Sequence, residues 1–295
     1  MSASLNRLSI SIERPLDPLT LHILERVDGV LRGAGIFYML VGATARDLLL
    51  FHVYGQAVGR ATYDLDFAIL LDSWGQFETV KNLLLNVPGF FDKKREIHRL
   101  HYTPAGMEIE TSIDLIPFGQ VANTERKIEW PPRADVVMNV AAFSDVFASS
   151  VEIQINGYQS IPVASLPGLI ILKLFAWLDR RDDRDVVDIR RLMESYADAG
   201  NLDRLYDDEN DELLRVNFDV SLAGAFLLGR DAYRLTDQNT RDQLSAALAG
   251  DQVDLLVARM AGKKSIFEDH MEDSAALLDG LLRGLGLRTR AADAG

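Results

Sequence analysis

An α+β fold is predicted: a mixed sheet with helices packed on it over residues 1–164, followed by a helical region over 165–295. Three observations predict it. Short runs rich in branched and aromatic residues alternate with amphipathic stretches as far as Val163. Asn156-Gly157, between Val151–Ile155 and Gln159–Val163, is the signal of a two-residue hairpin. After Ser165 the apolar spacing is helical throughout.

Taken in order, residues 18 to 33 form an amphipathic helix through Leu19, Leu21, Ile23, Leu24, Val27, Val30 and Leu31. Gly35 to Val41 reads as an apolar strand, and Gly42-Ala43-Thr44-Ala45-Arg46-Asp47-Leu48-Leu49-Leu50 as a small-residue turn opening a helix. Ala61 to Leu70 is a strand, and Trp74 to Leu85 a helix. Further strands are expected at His98–Tyr102, Met107–Ile116 and Asp135–Val140, ahead of the hairpin. Ser165 with Pro167 suits a helix start. Helical periodicity recurs around Val186–Met193, Leu213–Leu228, Leu244–Leu256 and Ala275–Leu287. The acidic run Asp207 to Glu212 is expected as a surface turn or linker.

Chemistry concentrates on three carboxylates. Asp64 and Asp66 stand two apart on a strand, so their side chains share a face, roughly 7 Å apart at the backbone. Asp114 lies between Ile113 and Leu115 on another strand. Facing the same way, the three would converge, and close like charges favour a cation between them. Mg²⁺ suits such oxygen donors while leaving places for water and phosphate. Upstream, a helix entered through Gly42 and small residues offers backbone N–H groups to a polyphosphate. Together these suit attack on a nucleoside triphosphate. The plainer alternatives are a polar strand end for Asp64 and Asp66, an exposed strand residue for Asp114, and a strand cap for Gly42.

Val41-Gly42-Ala43-x-Ala45-Arg46-Asp47, Arg60-x-Thr62-x-Asp64-x-Asp66-Phe67 and Asp114-Leu115-Ile116-Pro117-Phe118-Gly119 resemble, in that order, the DNA polymerase β nucleotidyltransferase superfamily. Leu172-Lys173-Leu174-x-Ala176-Trp177-x-x-Arg180, then Arg184-Asp185-x-x-Asp188-Ile189, is similar to the stretch following the core of its AbiEii/AbiGii-type toxins. The resemblance spans about residues 20 to 198. The Gly-x-x-x-Arg-Asp-Leu-Leu stretch is also similar to the head domain of tRNA CCA-adding enzymes, but the third Asp and the Lys helix fit the toxin branch better. One departure stands out: the turn is Gly42-Ala43 where the superfamily has Gly-Ser or Gly-Gly.

The resemblance implies a polymerase β-like nucleotidyltransferase core, with Mg²⁺ or Mn²⁺ held by Asp64, Asp66 and Asp114 and an NTP as substrate. Gly42, Ala43 and Thr44 would meet the triphosphate; Arg46, Arg60 and Thr62 would either contact phosphate or serve structure. Lys173, inside a very apolar helix, is either a snorkelling lysine or the C-terminal domain's cation for the triphosphate. Asp185 and Asp188 share a helix face and read as partners of Arg180, Arg184 or Lys173 rather than as metal ligands. The branch further implies a tRNA or other RNA 3′ end as acceptor, and a cognate antitoxin as partner. Two other functions stay open: an inactive nucleotide-binding module, which Ala43 motivates, and transfer to a small-molecule or protein hydroxyl, which an acidic surface suits.

Composition narrows the classes. The chain has no cysteine, so thiol nucleophiles and sulfur-based metal sites are excluded. His98 and His101, three apart on an expected strand, make a poor metal pair, and a zinc site is not expected. No Walker or Gly-x-Ser-x-Gly sequence occurs. The net charge of −13 argues against broad duplex binding, while local basic groups around Lys93–Arg99 and Arg180–Arg191 suit a limited acceptor contact or simply solvated faces. No stretch is apolar enough to span a membrane, so a cytoplasmic protein is expected.

Overall fold

The computed structural model describes residues 7–57, 64–93, 96–106, 108–131, 137–262 and 268–287. The chain divides into two compact units, Met1–Ser165 and Leu166–Gly295. The architecture is the expected mixed sheet with helices, followed by helices alone.

The first unit contains β1 (Arg7–Ser9), α1 (Pro18–Gly33), β2 (Tyr38–Val41), α2 (Gly42–Asp47), a π-helical stretch Leu48–Val53, β3 (Asp64–Leu70) and α3 (Trp74–Leu85). It continues with β4 (Phe90–Phe91), β5 (Arg99–Tyr102), β6 (Thr111–Phe118), β7 (Lys127–Glu129), β8 (Val137–Asn139), α4 (Phe143–Ala148), β9 (Val151–Gln154) and β10 (Ser160–Val163). Eight strands form one sheet in the order β1-β9-β10-β2-β3-β6-β5-β4, and β7 pairs with β8 separately. Pairing is parallel for β1·β9, β10·β2 and β3·β6, and antiparallel elsewhere.

Local chemistry explains the elements flanking the site. Asp17 caps α1 by accepting from Thr20 N at 2.9 Å, with Pro18 at the first helical position, where a missing N–H costs nothing. Asp28, buried on α1, accepts from Tyr38 Oη, Arg32 Nε and Gln159 Nε2, which ties the helix to β2 and the β9–β10 connection. β3 and β6 alternate: Leu65, Phe67, Ile113 and Leu115 are buried, whereas Asp64, Asp66, Ser112 and Asp114 are half-buried on the opposite face.

Some expectations need correction. β1, β4 and β7 lie outside the expected strands, being only two or three residues long, too short for periodicity to register. The expected two-residue hairpin is wider: Ile155 N bonds Gln159 O, and Asn156 Oδ1 accepts from Tyr158 N and Gln159 N. Asn156 thus builds a side-chain turn in place of the tight backbone turn that Asn-Gly favours. The helix expected to run through Leu50 slips into π-helical pairing from Leu48.

The second unit comprises α5 (Leu166–Arg180), α6 (Asp183–Ser195), α7 (Leu202–Asp207), α8 (Asn210–Arg215), α9 (Val220–Leu235), α10 (Gln238–Ala247), α11 (Gln252–Ala261) and α12 (Glu268–Gly284). Asn217 and Phe218, at positive φ, break the periodicity expected to continue from Leu213. The acidic run is no simple surface linker. Glu209 and Glu212 are buried because Arg230 pairs with the first and Arg215 and Arg283 with the second. Burial alone would raise the Glu212 pKa, but these arginines hold it below its ordinary value. Among the described residues, no helix is long and apolar enough to cross a membrane.

Candidate active site

Four adjacent strands present the site. Parallel register sets Asp66 opposite Asp114, and antiparallel pairing sets Val41 opposite Asp66 and Arg99 opposite Asp114. Val41, Asp66, Asp114 and Arg99 therefore form one row across β2, β3, β6 and β5. The neighbouring row carries Asp64, Ser112 and His101. Strands in a sheet lie about 4.8 Å apart, so the Asp66 and Asp114 backbones are close neighbours.

Gly42 opens α2 directly against this row. Its φ is +71°, and a Cβ there would overlap Asp66 Oδ2 and stand 2.9 Å from Asp66 Cγ. Glycine is needed on both counts: for the left-handed backbone and for the space the carboxylate occupies. Thr44 Oγ1 donates to the Asp64 carbonyl oxygen at 2.8 Å. Its one O–H is committed to β3, which leaves its backbone N–H for any phosphate. Arg46 is buried, with Nη2 and Nε 2.7 and 2.8 Å from Asp47 Oδ1. Arg60 and Thr62 lie outside the described residues.

Arg99 was not among the site residues expected from sequence. Its Nε and Nη2 donate to Asp114 Oδ1 and Oδ2 at 2.6 and 2.8 Å, a bidentate fork. The hydrogen bonds to Asp114 raise the Arg99 pKa further above its already high ordinary value. Burial opposes that rise, and the charges of Asp114, Asp64 and Glu96 add to it. In the sequence it appears only as a member of the basic group around Lys93–Arg99, which suits a limited acceptor contact or a solvated face and does not point to Asp114. Beyond it, the His101 ring stacks on Phe91, and its Nε2 lies 2.5 Å from Glu96 Oε2. His98 sits in the turn before β5, against Trp130.

A divalent cation requires hard oxygen donors. Asp64 and Asp66 supply them from one face of β3, and Asp114 faces the same way one strand over, so donor type and strand placement fit. Among the described residues, no three acidic or histidine side chains are grouped closely enough to hold an ion. Both Asp114 oxygens instead meet the Arg99 fork.

In the second unit, Lys173 Nζ stands 3.1 Å from Asp185 Oδ1 and 2.6 Å from Asp188 Oδ2. Arg180 also forks onto Asp185, with both contacts at 2.6 Å. Asp185 is fully buried, and both of its oxygens meet these cations. Lys173→Met is expected to lower the stability of this unit by about 3 kcal/mol, because it removes a cation from a buried cluster, 2.6 Å from Asp188, and leaves Asp185 to the Arg180 fork. Urea unfolding checks this; an unchanged midpoint would show that the pair contributes nothing.

A family model described as "Nucleotidyl transferase AbiEii toxin, Type IV TA system" matches residues 30–278. No curated protein matches the chain. Among solved structures, the chain is similar to an antigenic nucleotidyltransferase-like protein from Paracoccidioides brasiliensis, at 18% identity and a TM-score of 0.41, covering 68% of this chain and 93% of that one. It is similar to the antibiotic-resistance factor ANT(2'')-Ia at 11% identity and a TM-score of 0.34, covering 68% and 98%. It is also similar to a CCA-adding enzyme in an apo form at 14% identity and a TM-score of 0.32, covering 89% and 71%.

Proposed function

The chain belongs to the AbiEii nucleotidyltransferase toxin family, and from that premise we propose the reaction of this nucleotidyltransferase: with Mg²⁺ or Mn²⁺, it moves a nucleoside monophosphate from an NTP to the 3′ hydroxyl of an RNA, foremost a tRNA. It acts in the cytoplasm as the toxin of a toxin–antitoxin pair, and a cognate antitoxin is its protein partner. The domain assignment belongs to the same proposal, with residues 1–164 as transferase core and 165–295 as helical domain. The single observation supporting it most is the row that sets Asp66 in register with Asp114, with Asp64 on the same face and Gly42 abutting.

Asp64 and Asp66 would hold the divalent ion, together with Asp114. The bound ion would supply charge neutralisation on the triphosphate and a lowered pKa for the acceptor hydroxyl. Backbone N–H groups of Gly42, Ala43 and Thr44 orient the triphosphate at the start of α2. Asp114 would serve either as a ligand of the ion or as the base that takes the proton of the attacking hydroxyl, and the α-phosphorus is attacked in line as pyrophosphate leaves. Lys173 as a cation for the triphosphate remains part of this proposal. A loss of transfer in Lys173→Met beyond the loss of folded protein supports it.

The test is incubation with each α-labelled triphosphate, Mg²⁺ and total RNA, for wild type and Asp64→Asn. Label is expected on RNA with wild type alone. Label on protein or small molecules would move the acceptor to those classes. Nucleotide binding with no label in any pool would make the chain the inactive module that Ala43 suggests.

A further inference from the structure

The Arg99 fork raises a question about how Asp114 comes to serve a cation. Antiparallel register places Arg99 and Asp114 opposite each other on β5 and β6, so the pairing is built into the sheet. Both carboxylate oxygens are engaged, at 2.6 and 2.8 Å. The pair is not sealed in: the Arg99 side chain is 31% exposed and that of Asp114 15%. A guanidinium stays charged at any physiological pH, so Arg99 does not release Asp114 by losing its own proton, whereas a competing cation can draw the carboxylate away.

We propose that Arg99 is a positioning residue that holds Asp114 in its ion-free state and competes with the divalent cation for the same two oxygens. This inference rests on the metal reading of Asp64, Asp66 and Asp114 above. Its physical consequence is a penalty on ion binding, since an oxygen given to the cation is taken from the fork. The displaced guanidinium needs another anion, and Asp64 already acts on it electrostatically. A phosphate arriving with the substrate would serve the same end, so the cation alone binds weakly and the cation with a nucleotide binds well.

Mn²⁺ binding to the full chain without nucleotide, read by the paramagnetic resonance signal of free Mn²⁺, tests this without turnover. Arg99→Gln is expected to tighten Mn²⁺ binding about tenfold, the worth of one charge-assisted hydrogen-bonded pair. Arg99→Lys, a point charge unable to fork, should fall between Arg99→Gln and wild type. In an Asp114→Asn background, Arg99→Gln should bring no gain. Circular dichroism confirms that each variant folds, and Arg99→Lys carries the test should Arg99→Gln not fold. Equal or weaker Mn²⁺ binding in the folded Arg99 variants, with wild type binding Mn²⁺, overturns the Arg99 proposal and leaves the metal reading standing. No Mn²⁺ binding by any variant, or undiminished binding by Asp64→Asn, overturns the metal reading and the Arg99 proposal with it.

Discussion

Asp66→Asn is expected to lower nucleotidyl transfer about a hundred- to a thousandfold, in line with the loss of one preorganised electrostatic group from an active site. The substitution keeps the shape of the side chain and removes only its charge. The carboxamide would still fit against Gly42, where no Cβ intrudes, so the turn into α2 keeps its form. The residue is half-buried rather than sealed in the core, so the melting temperature should stay within a few degrees of wild type. The combination is diagnostic, because a structural carboxylate would lose stability first and activity only in proportion. Single-turnover transfer of an α-labelled nucleotide, compared with thermal melting, reads both. Transfer near the wild-type rate would remove Asp66 from the chemistry and break the row on which the proposed reaction stands.

How much of this was legible beforehand depends on how local the determinant is. The Asp64–Asp66 pairing needs only the two-residue period of a strand, and the apolar neighbours Leu65 and Phe67 advertise that period. The α+β class follows from similar short-range patterns. The Arg99–Asp114 fork does not, because it depends on the register between two strands, β5 ending at Tyr102 and β6 beginning at Thr111. Nothing near Arg99 distinguishes it from a solvated arginine. Glu209 and Glu212 mislead for the same reason: six polar residues in a row read as surface, while the arginines that permit burial come from α8, α9 and α12. The π-helical slip at Leu48 leaves no trace in hydrophobic spacing, since a run of leucines suits either helix. Strand pairing and charge compensation across distant segments are thus what a single chain conceals.

Glycines within helices are another concealed determinant, and they lead to a large expected effect on stability. In isolation a mid-helix glycine reads as a weak point, costing about 1 kcal/mol against alanine. In α9 and α12 the glycines instead let two backbones meet. A Cβ on Gly284 would overlap Phe226 O and lie 2.7 Å from Arg230 N and 3.0 Å from Gly229 C. A Cβ on Gly229 would overlap Leu281 O and lie 3.0 Å from Leu285 N. These are backbone atoms and cannot rotate aside, so the helices would have to separate and the packing around Leu227, Leu228, Leu281 and Leu282 would open. Gly284→Ala is expected to destabilise by about 3 kcal/mol, the upper range for overpacking, despite the better helix propensity of alanine. That corresponds to a melting temperature roughly 10 °C lower. Gly29→Ala in α1 is the contrast: nothing lies within 4 Å of its Cβ position, so propensity alone should act and stability should rise by about 0.5–1 kcal/mol. Opposite signs for the same chemical change would isolate the steric cause. A Gly284→Ala protein melting at or above wild type would mean that α9 and α12 do not approach this closely.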